Sequence, residues 1–396
     1  MTRVLLWIVA LLLNAGGAIG VSAYLIALAV SSDREAITTG YGSVFAFSAV
    51  ALVAGIVTLL ALVKKLPARL PFPNQWVSLS ILLISATLGI VFSQADILPV
   101  TAPFLALIAT AALFAFFARF LTRWSPSVEH GPRGFILPSL WGGIGAPFLA
   151  GSFQLLTVVA LVVAGGIGLY AADETLLDNL EPWLNEQVDP VSSGSDADAM
   201  ELLKKPAVAL GAVSLLGITA PLTEELTKFL GVYLLFRNRF VTRNNLFIAG
   251  VASGLGFAVV ETLGYALMSG DSWSMILLVR APVAVIHMVC TAIVAVGWYQ
   301  QRKRGGIALA GFFLVSVLVH AAWNTLFVSL MLVALGTDTT DAIDPAAGAT
   351  MLALVTAMGV VFLGSLFWLV GNARRFGRQA RAEVPVGAPA GHTVQI

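Results

Sequence analysis

The sequence predicts an all-α, polytopic integral membrane bundle of about ten transmembrane helices, and three observations carry that prediction. Of 396 residues, 58% are hydrophobic and 11% charged, with a mean hydropathy of +0.92. An ordinary soluble domain carries roughly 25% charged residues. Apolar runs of at least ~18 residues recur along the chain, each long enough to cross a ~30 Å hydrocarbon core as a helix. The ~10-residue alternating segments of a transmembrane barrel are absent. The formal net charge is +1, and the basic residues fall in short clusters at span ends. That pattern makes the lipid bilayer a partner and argues against nucleic acid. A single cysteine, Cys290, excludes an intrachain disulfide and a multi-cysteine metal site.

Ten spans are expected near residues 4–30, 43–63, 76–93, 97–118, 141–171, 207–236, 246–268, 275–299, 307–333 and 350–370. The first follows one basic residue, Arg3, and contains a weak small-residue site at Ala27-Leu28-Ala29. Its apolar run exceeds the ~7–15 residues of a signal peptide, so it is read as a retained helix. Loop charge sets the orientation. Lys64, Lys65 and Arg69 follow the second span, and Arg119, Arg123 and Arg133 lie between the fourth and fifth. Arg237, Arg239 and Arg243 follow the sixth, Arg302, Lys303 and Arg304 the eighth, and Arg374, Arg375, Arg378 and Arg381 the tenth. Basic loops stay in the cytoplasm, so both termini are expected there.

Four segments follow from this: an N-terminal transmembrane module (1–172), an acidic extracytoplasmic loop (173–206), a site-bearing transmembrane core (207–370) and a basic, disordered cytoplasmic tail (371–396). The ionisable residues inside spans concentrate in the core. The sixth to ninth spans supply Glu224, Glu225 and Lys228, then Glu261, then Arg280 and His287, then His320 with Asn324. A charge at the bilayer centre costs about 2.5–3.5 kcal/mol on insertion scales, so a cluster of them implies a use. At 1.5 Å per residue, Glu225, His287 and His320 each fall roughly 18–20 Å from a span end, near the midplane. Glu224 and Glu225 each reach Lys228 at helical spacing, Phe257, Glu261 and Tyr265 form one stripe, and His320 lies over Asn324. Two adjacent carboxylates in low dielectric divide acid and base duties. Pro221 is expected to kink the sixth span. Arg280, near an outer end, reads equally as a snorkelling side chain, and Ser253 as a helix-packing residue. Neither a His-Glu-x-x-His zinc motif nor a Gly-x-Gly-Asp pair occurs.

In this order, Glu-Glu-x-x-Lys (224–228), Gly-x-x-Phe-x-x-x-Glu (254–261) with Tyr265, Arg-x-Pro-x-x-x-x-His (280–287) and His-x-x-Trp-Asn (320–324) resemble the PrsW family of intramembrane proteases, relatives of the CAAX prenyl proteases. The resemblance spans about 221–324 and implies a membrane endopeptidase of a bacterial plasma membrane. Its functional positions fall on Glu224, Glu225, Lys228, Glu261, His287, His320 and Asn324. The implied substrate is a membrane protein, a single-span, anti-sigma-factor-like chain cut in a site-1 type of regulatory cleavage. Glu225 is the expected base, with Lys228 holding its charge and Glu224 the next candidate. His287 and His320 would orient water or act as acid, and Asn324 would donate to the oxyanion. The cofactor is none or Zn²⁺, with the metal-free mechanism preferred; a metal would take Glu225, His287 and His320. Two other readings stay open at this point: a proton-coupled transporter or channel, and a non-catalytic membrane scaffold.

Overall fold

The computed structural model describes residues 2–30, 34–63, 72–93, 98–124, 132–172, 210–211, 213–238, 241–336 and 345–382. The acidic loop expected at 173–206 lies outside the described residues. Among the described residues the chain is helical, with no strand. The helices are α1 (Thr2–Val30), α2 (Arg34–Leu62), α3 (Gln75–Ser93), α4 (Leu98–Trp124), α5 (Pro132–Leu140) and α6 (Ala146–Ala172). There follow α7 (Ala220–Phe236), α8 (Arg243–Met268), α9 (Trp273–Arg280), α10 (Val283–Arg304), α11 (Ala308–Gly336) and α12 (Pro345–Ala382). Wide π-helical turns precede α6 at Trp141–Gly145 and α7 at Leu215–Thr219.

Nine helical stretches among the described residues are long and apolar enough to cross a membrane. The tenth expected span is present as the turn Leu215–Thr219 and α7. It falls short on length, 17 residues, and on composition, because Glu224, Glu225 and Lys228 lie within it. All three are buried, so they face protein rather than lipid. Elsewhere the outward surface is apolar, with Leu12, Ile19, Ile26 and Ile84 exposed, as contact with acyl chains requires. Multiple apolar helices make this a multi-pass integral membrane protein.

Two expectations change. The eighth span is not one helix from 275 to 299 but two, α9 and α10, separated at Ala281-Pro282. Proline has no N–H to give and restricts the residue before it, so the helix restarts at Val283. The last helix does not stop near 370. It continues through Ala382 and carries Arg374, Arg375 and Arg378 on ordered helix; the residues beyond lie outside the described ones.

The chain divides into two compact units, and the division falls within α6, α7, α11 and α12. Unit one comprises Met1–Pro147, Lys228–Phe313 and Ser365–Ile396. Its centre is the pair α8 and α10, buried along most of their length, with α8 also packed on α4, α5 and the turn Trp141–Gly145. Small residues permit this. A Cβ on Gly254 would collide with the carbonyl oxygen of His287, and one on Gly250 would lie 2.7 Å from the Cα of Ala292. Gly254→Ala is therefore expected to destabilise the folded protein by about 1–3 kcal/mol, the usual cost of overpacking. Thermal unfolding in detergent would show it, against a neutral Gly311→Ala, where nothing lies within 4 Å. Thr242 caps α8 by accepting from the Asn245 N–H at 3.2 Å. α10 ends at Gly305 and Gly306, whose φ values of 70° and 77° suit glycine. An apolar cluster of Phe229, Val232, Phe236, Leu246, Val294 and Trp298 locks α7, α8 and α10 together.

Unit two comprises Phe148–Thr227 and Leu314–Gly364. Within it Gln154 of α6 donates to the Thr223 hydroxyl of α7 at 3.3 Å. Gly217 admits Thr325 of α11, whose Oγ1 would lie 2.5 Å from an added Cβ.

Candidate active site

α7 delivers Glu224 and Glu225 to unit two and Lys228, one turn later, to unit one. The way it starts explains one motif residue. In the preceding turn the Ala220 N–H is committed to the Leu215 carbonyl, and Pro221 has no N–H. The Leu216 carbonyl is thus left without a helical donor. Asn324 of α11 fills the gap, its amide donating to that oxygen at 3.0 Å. The kink expected from Pro221 therefore takes the form of a widened turn, with Asn324 pinned to it.

In unit two His320 stands between the two carboxylates. Its Nδ1 lies 2.9 Å from Glu225 Oε1, and its Nε2 lies 3.7 Å from Glu224 Oε2. His320 and Glu225 are essentially inaccessible. The short contact makes Nδ1 the protonated nitrogen, donating to the Glu225 carboxylate. Nε2 then presents its lone pair towards Glu224. Two acceptor atoms 3.7 Å apart are too distant for a direct hydrogen bond. Zinc binds histidine nitrogen and carboxylate oxygen at about 2.0–2.2 Å, so this separation suits two ligands of one ion. A histidine that donates its other N–H to a carboxylate is the usual companion of such a ligand. The donor set of Glu224 and His320 therefore fits a metal.

Unit one holds a second histidine in the same manner. Lys228 Nζ lies 2.8 Å from His287 Nδ1, and His287 Nε2 lies 2.9 Å from Glu261 Oε2. A lysine ammonium only donates, so Nδ1 accepts and Nε2–H donates to Glu261. Lys228 is fully buried and sits 4.2 Å from the centre of the Phe257 ring. Arg280 also binds Glu261, its Nη2 donating to the same Oε2 at 2.8 Å, and its guanidinium lies 4.0 Å from the centre of the Tyr265 ring. The result is a chain Arg280–Glu261–His287–Lys228.

The structure thus brings Lys228, Glu261 and His287 together in unit one, and Glu224, Glu225 and His320 together in unit two. Asn324 bonds a backbone carbonyl. Sequence reasoning left three contributors out of the site: Arg280, which anchors Glu261 instead of snorkelling, Phe257 beneath Lys228, and Tyr265 beneath Arg280. Their signal was present, since all three lie in the motif segments 254–265 and 280–287. Ser253 donates to the Lys228 carbonyl at 3.0 Å, a helix-to-helix bond that leaves it no nucleophilic part. Cys290 is buried in α10.

Residues 195–369 match the family described as PrsW family intramembrane metalloprotease. Neither the curated proteins nor the solved structures include a match to the chain. The matched segment carries every site residue named above, from Glu224 to Asn324, on α7 to α11. Over residues 195–369 the chain is similar to PrsW-family intramembrane proteases, and that likeness makes it an enzyme, a membrane protease.

Proposed function

We propose that this protein is an endopeptidase that activates water at Glu224 and His320 to cut single-span, anti-sigma-factor-like membrane proteins in a site-1 type of regulatory cleavage. The observation that carries the reading is the pair Glu224 Oε2 and His320 Nε2, 3.7 Å apart, both side chains buried in unit two. A water within reach of both has its two protons accepted and its lone pairs turned outward, towards a scissile carbonyl. Glu224 takes the proton as the water attacks. Glu225, expected from sequence to be the base, is assigned the orienting role, because it holds His320 Nδ1. Asn324, fixed by one N–H to Leu216, offers its other amide proton to the oxyanion. His287, with its tautomer set by Lys228 and Glu261, is also required for cleavage.

The family description speaks for a metal. Glu224 and His320 are the residues proposed to hold it; His287, expected from sequence as a further ligand, has both ring nitrogens engaged by Lys228 and Glu261 and is assigned no metal. Bound zinc would polarise the substrate carbonyl and lower the pKa of the attacking water. The deciding experiment is chelation of the purified protein, with cleavage of a single-span reporter measured before and after zinc is restored. Loss with recovery, together with stoichiometric zinc that Glu224→Gln and His320→Ala both abolish, supports the metal set. Cleavage that survives chelation leaves water activation to Glu224 alone.

The basic ends of α7, α10 and α12 are proposed to face the cytoplasm of a bacterium, with both termini on that side. Reporters fused after Arg304 should read cytoplasm, and those within 185–198 the exterior; the opposite pattern would overturn this orientation.

A further inference from the structure

Unit one holds a concentration of positive charge away from the candidate site. Arg243 at the start of α8 packs on Phe376 of α12, the neighbour of Arg375, and Arg304 at the end of α10 is within electrostatic reach of Arg243. The Arg243 guanidinium lies 4.6 Å from the centre of the Phe376 ring, and Phe376 in turn packs edge-on against Phe247 at 5.2 Å. That contact joins α8 to α12 and brings Arg375, the neighbour of Phe376, within electrostatic reach of Arg243; Arg304 lies within the same reach. Arg302, by contrast, is provided for: it donates to the Phe236 carbonyl at 3.3 Å and lies over Trp298. Among the described residues no carboxylate pairs with Arg243, Arg304 or Arg375, and Arg243 Nε is buried without a hydrogen-bond partner.

Three like charges held close by helix packing repel one another. Among the described residues no acid answers this charge, and an anion from outside would complete the arrangement. Trp298 and Tyr299 lie in the last two turns of α10, and Trp368 lies two turns before Arg375 on α12, against Phe247 of α8; indole and phenol rings are common at the bilayer interface. The anion is therefore met at headgroup depth.

We propose that Arg243, Arg304 and Arg375 form a binding site for the headgroup phosphate of an anionic phospholipid. The guanidinium fork of Arg243, seated on Phe376, supplies directional donors to phosphate oxygens. The other two arginines add charge that distinguishes a net-negative headgroup from a zwitterionic one.

The test uses the full chain, purified in mild detergent and examined by mass spectrometry under native conditions, with a lipid titration alongside. Wild type should retain one phosphatidylglycerol or cardiolipin per chain and discriminate against phosphatidylcholine. Arg243→Gln with Arg375→Gln should weaken binding roughly fivefold for each arginine removed, the worth of one basic residue at an anionic surface. Should the double variant fail to fold, Arg375→Gln alone, at an exposed position, reads the same loss. Equal retention by wild type and variant, or equal affinity for phosphatidylcholine, overturns the proposal. An arm with inorganic phosphate separates the sources: stabilisation by free phosphate equal to that by the lipid would reassign the site to a soluble anion and also overturn it.

Discussion

Glu224→Gln is expected to reduce cleavage by at least about 10²–10⁴-fold while the protein still folds and inserts. Glutamine keeps the shape of the side chain and removes its charge and basicity. Glu224 Oε2 faces His320 Nε2 across 3.7 Å, so it stands where water is activated and where an ion would be held. Glu225→Gln should cost less. Its amide oxygen still accepts from His320 Nδ1, now without a charge, and loss of such an orienting partner typically costs about 10–100-fold. Kinetics of the two variants on one reporter, with folding checked by thermal unfolding, give the ranking. The reverse order would return the base to Glu225. Equal and modest losses, with His320→Ala harmless, would remove both assignments and the water-activation mechanism with them.

Lys228→Met is the second large effect, and its signature is a separation of activity from stability. Lys228 is fully buried, and its Nζ is 2.8 Å from His287 Nδ1. With methionine there, Nδ1 loses its donor and the imidazole is free to carry its proton on that nitrogen. Nε2 would then turn a lone pair on the Glu261 carboxylate, 2.9 Å away, and the bond would fail. A histidine in the wrong tautomer is expected to cost on the order of 10²–10⁴-fold in turnover. Methionine fills a similar volume against Phe257, so the loss of stability should be small beside the loss of turnover. Turnover and unfolding midpoint measured on one preparation test this. A protein that loses stability in proportion to activity would mark Lys228 as a structural residue only.

The helical membrane architecture was legible because it is written in composition: a span must be apolar over a set length, and the runs show it. The site was legible for a related reason. A glutamate, lysine or histidine in such a run is conspicuous, so Glu224, Glu225, Lys228, Glu261, His287 and His320 stand out against their apolar neighbours by residue type alone. What stayed hidden was partner choice. The sequence placed Glu225 and Lys228 at helical spacing, but could not say that Lys228 turns to His287 while Glu225 turns to His320. Arg280 was obscured by its place near a span end, where snorkelling is equally reasonable; the break at Ala281-Pro282 is what sets it against Glu261. Asn324 was recognised as a motif residue, yet its bond to Leu216 depends on a local backbone defect that hydropathy does not register.

That defect has a counterpart. The turns Trp141–Gly145 and Leu215–Thr219 both end in Ala-Pro, and in both the alanine N–H reaches back five residues. The surrounding words are alike too, Gly-Ile-Gly-Ala-Pro at 143–147 and Gly-Ile-Thr-Ala-Pro at 217–221. A helix is a screw, and each residue advances it by about 100°. One surplus residue taken up in a wide turn resets the phase of everything after it without altering how greasy the segment is. Insertion into the bilayer reads the grease; catalysis reads the phase. The two are encoded separately in the same letters, so a one-residue deletion at 215–219 would go unnoticed by the insertion machinery and still turn Glu224 and Glu225 away from His320.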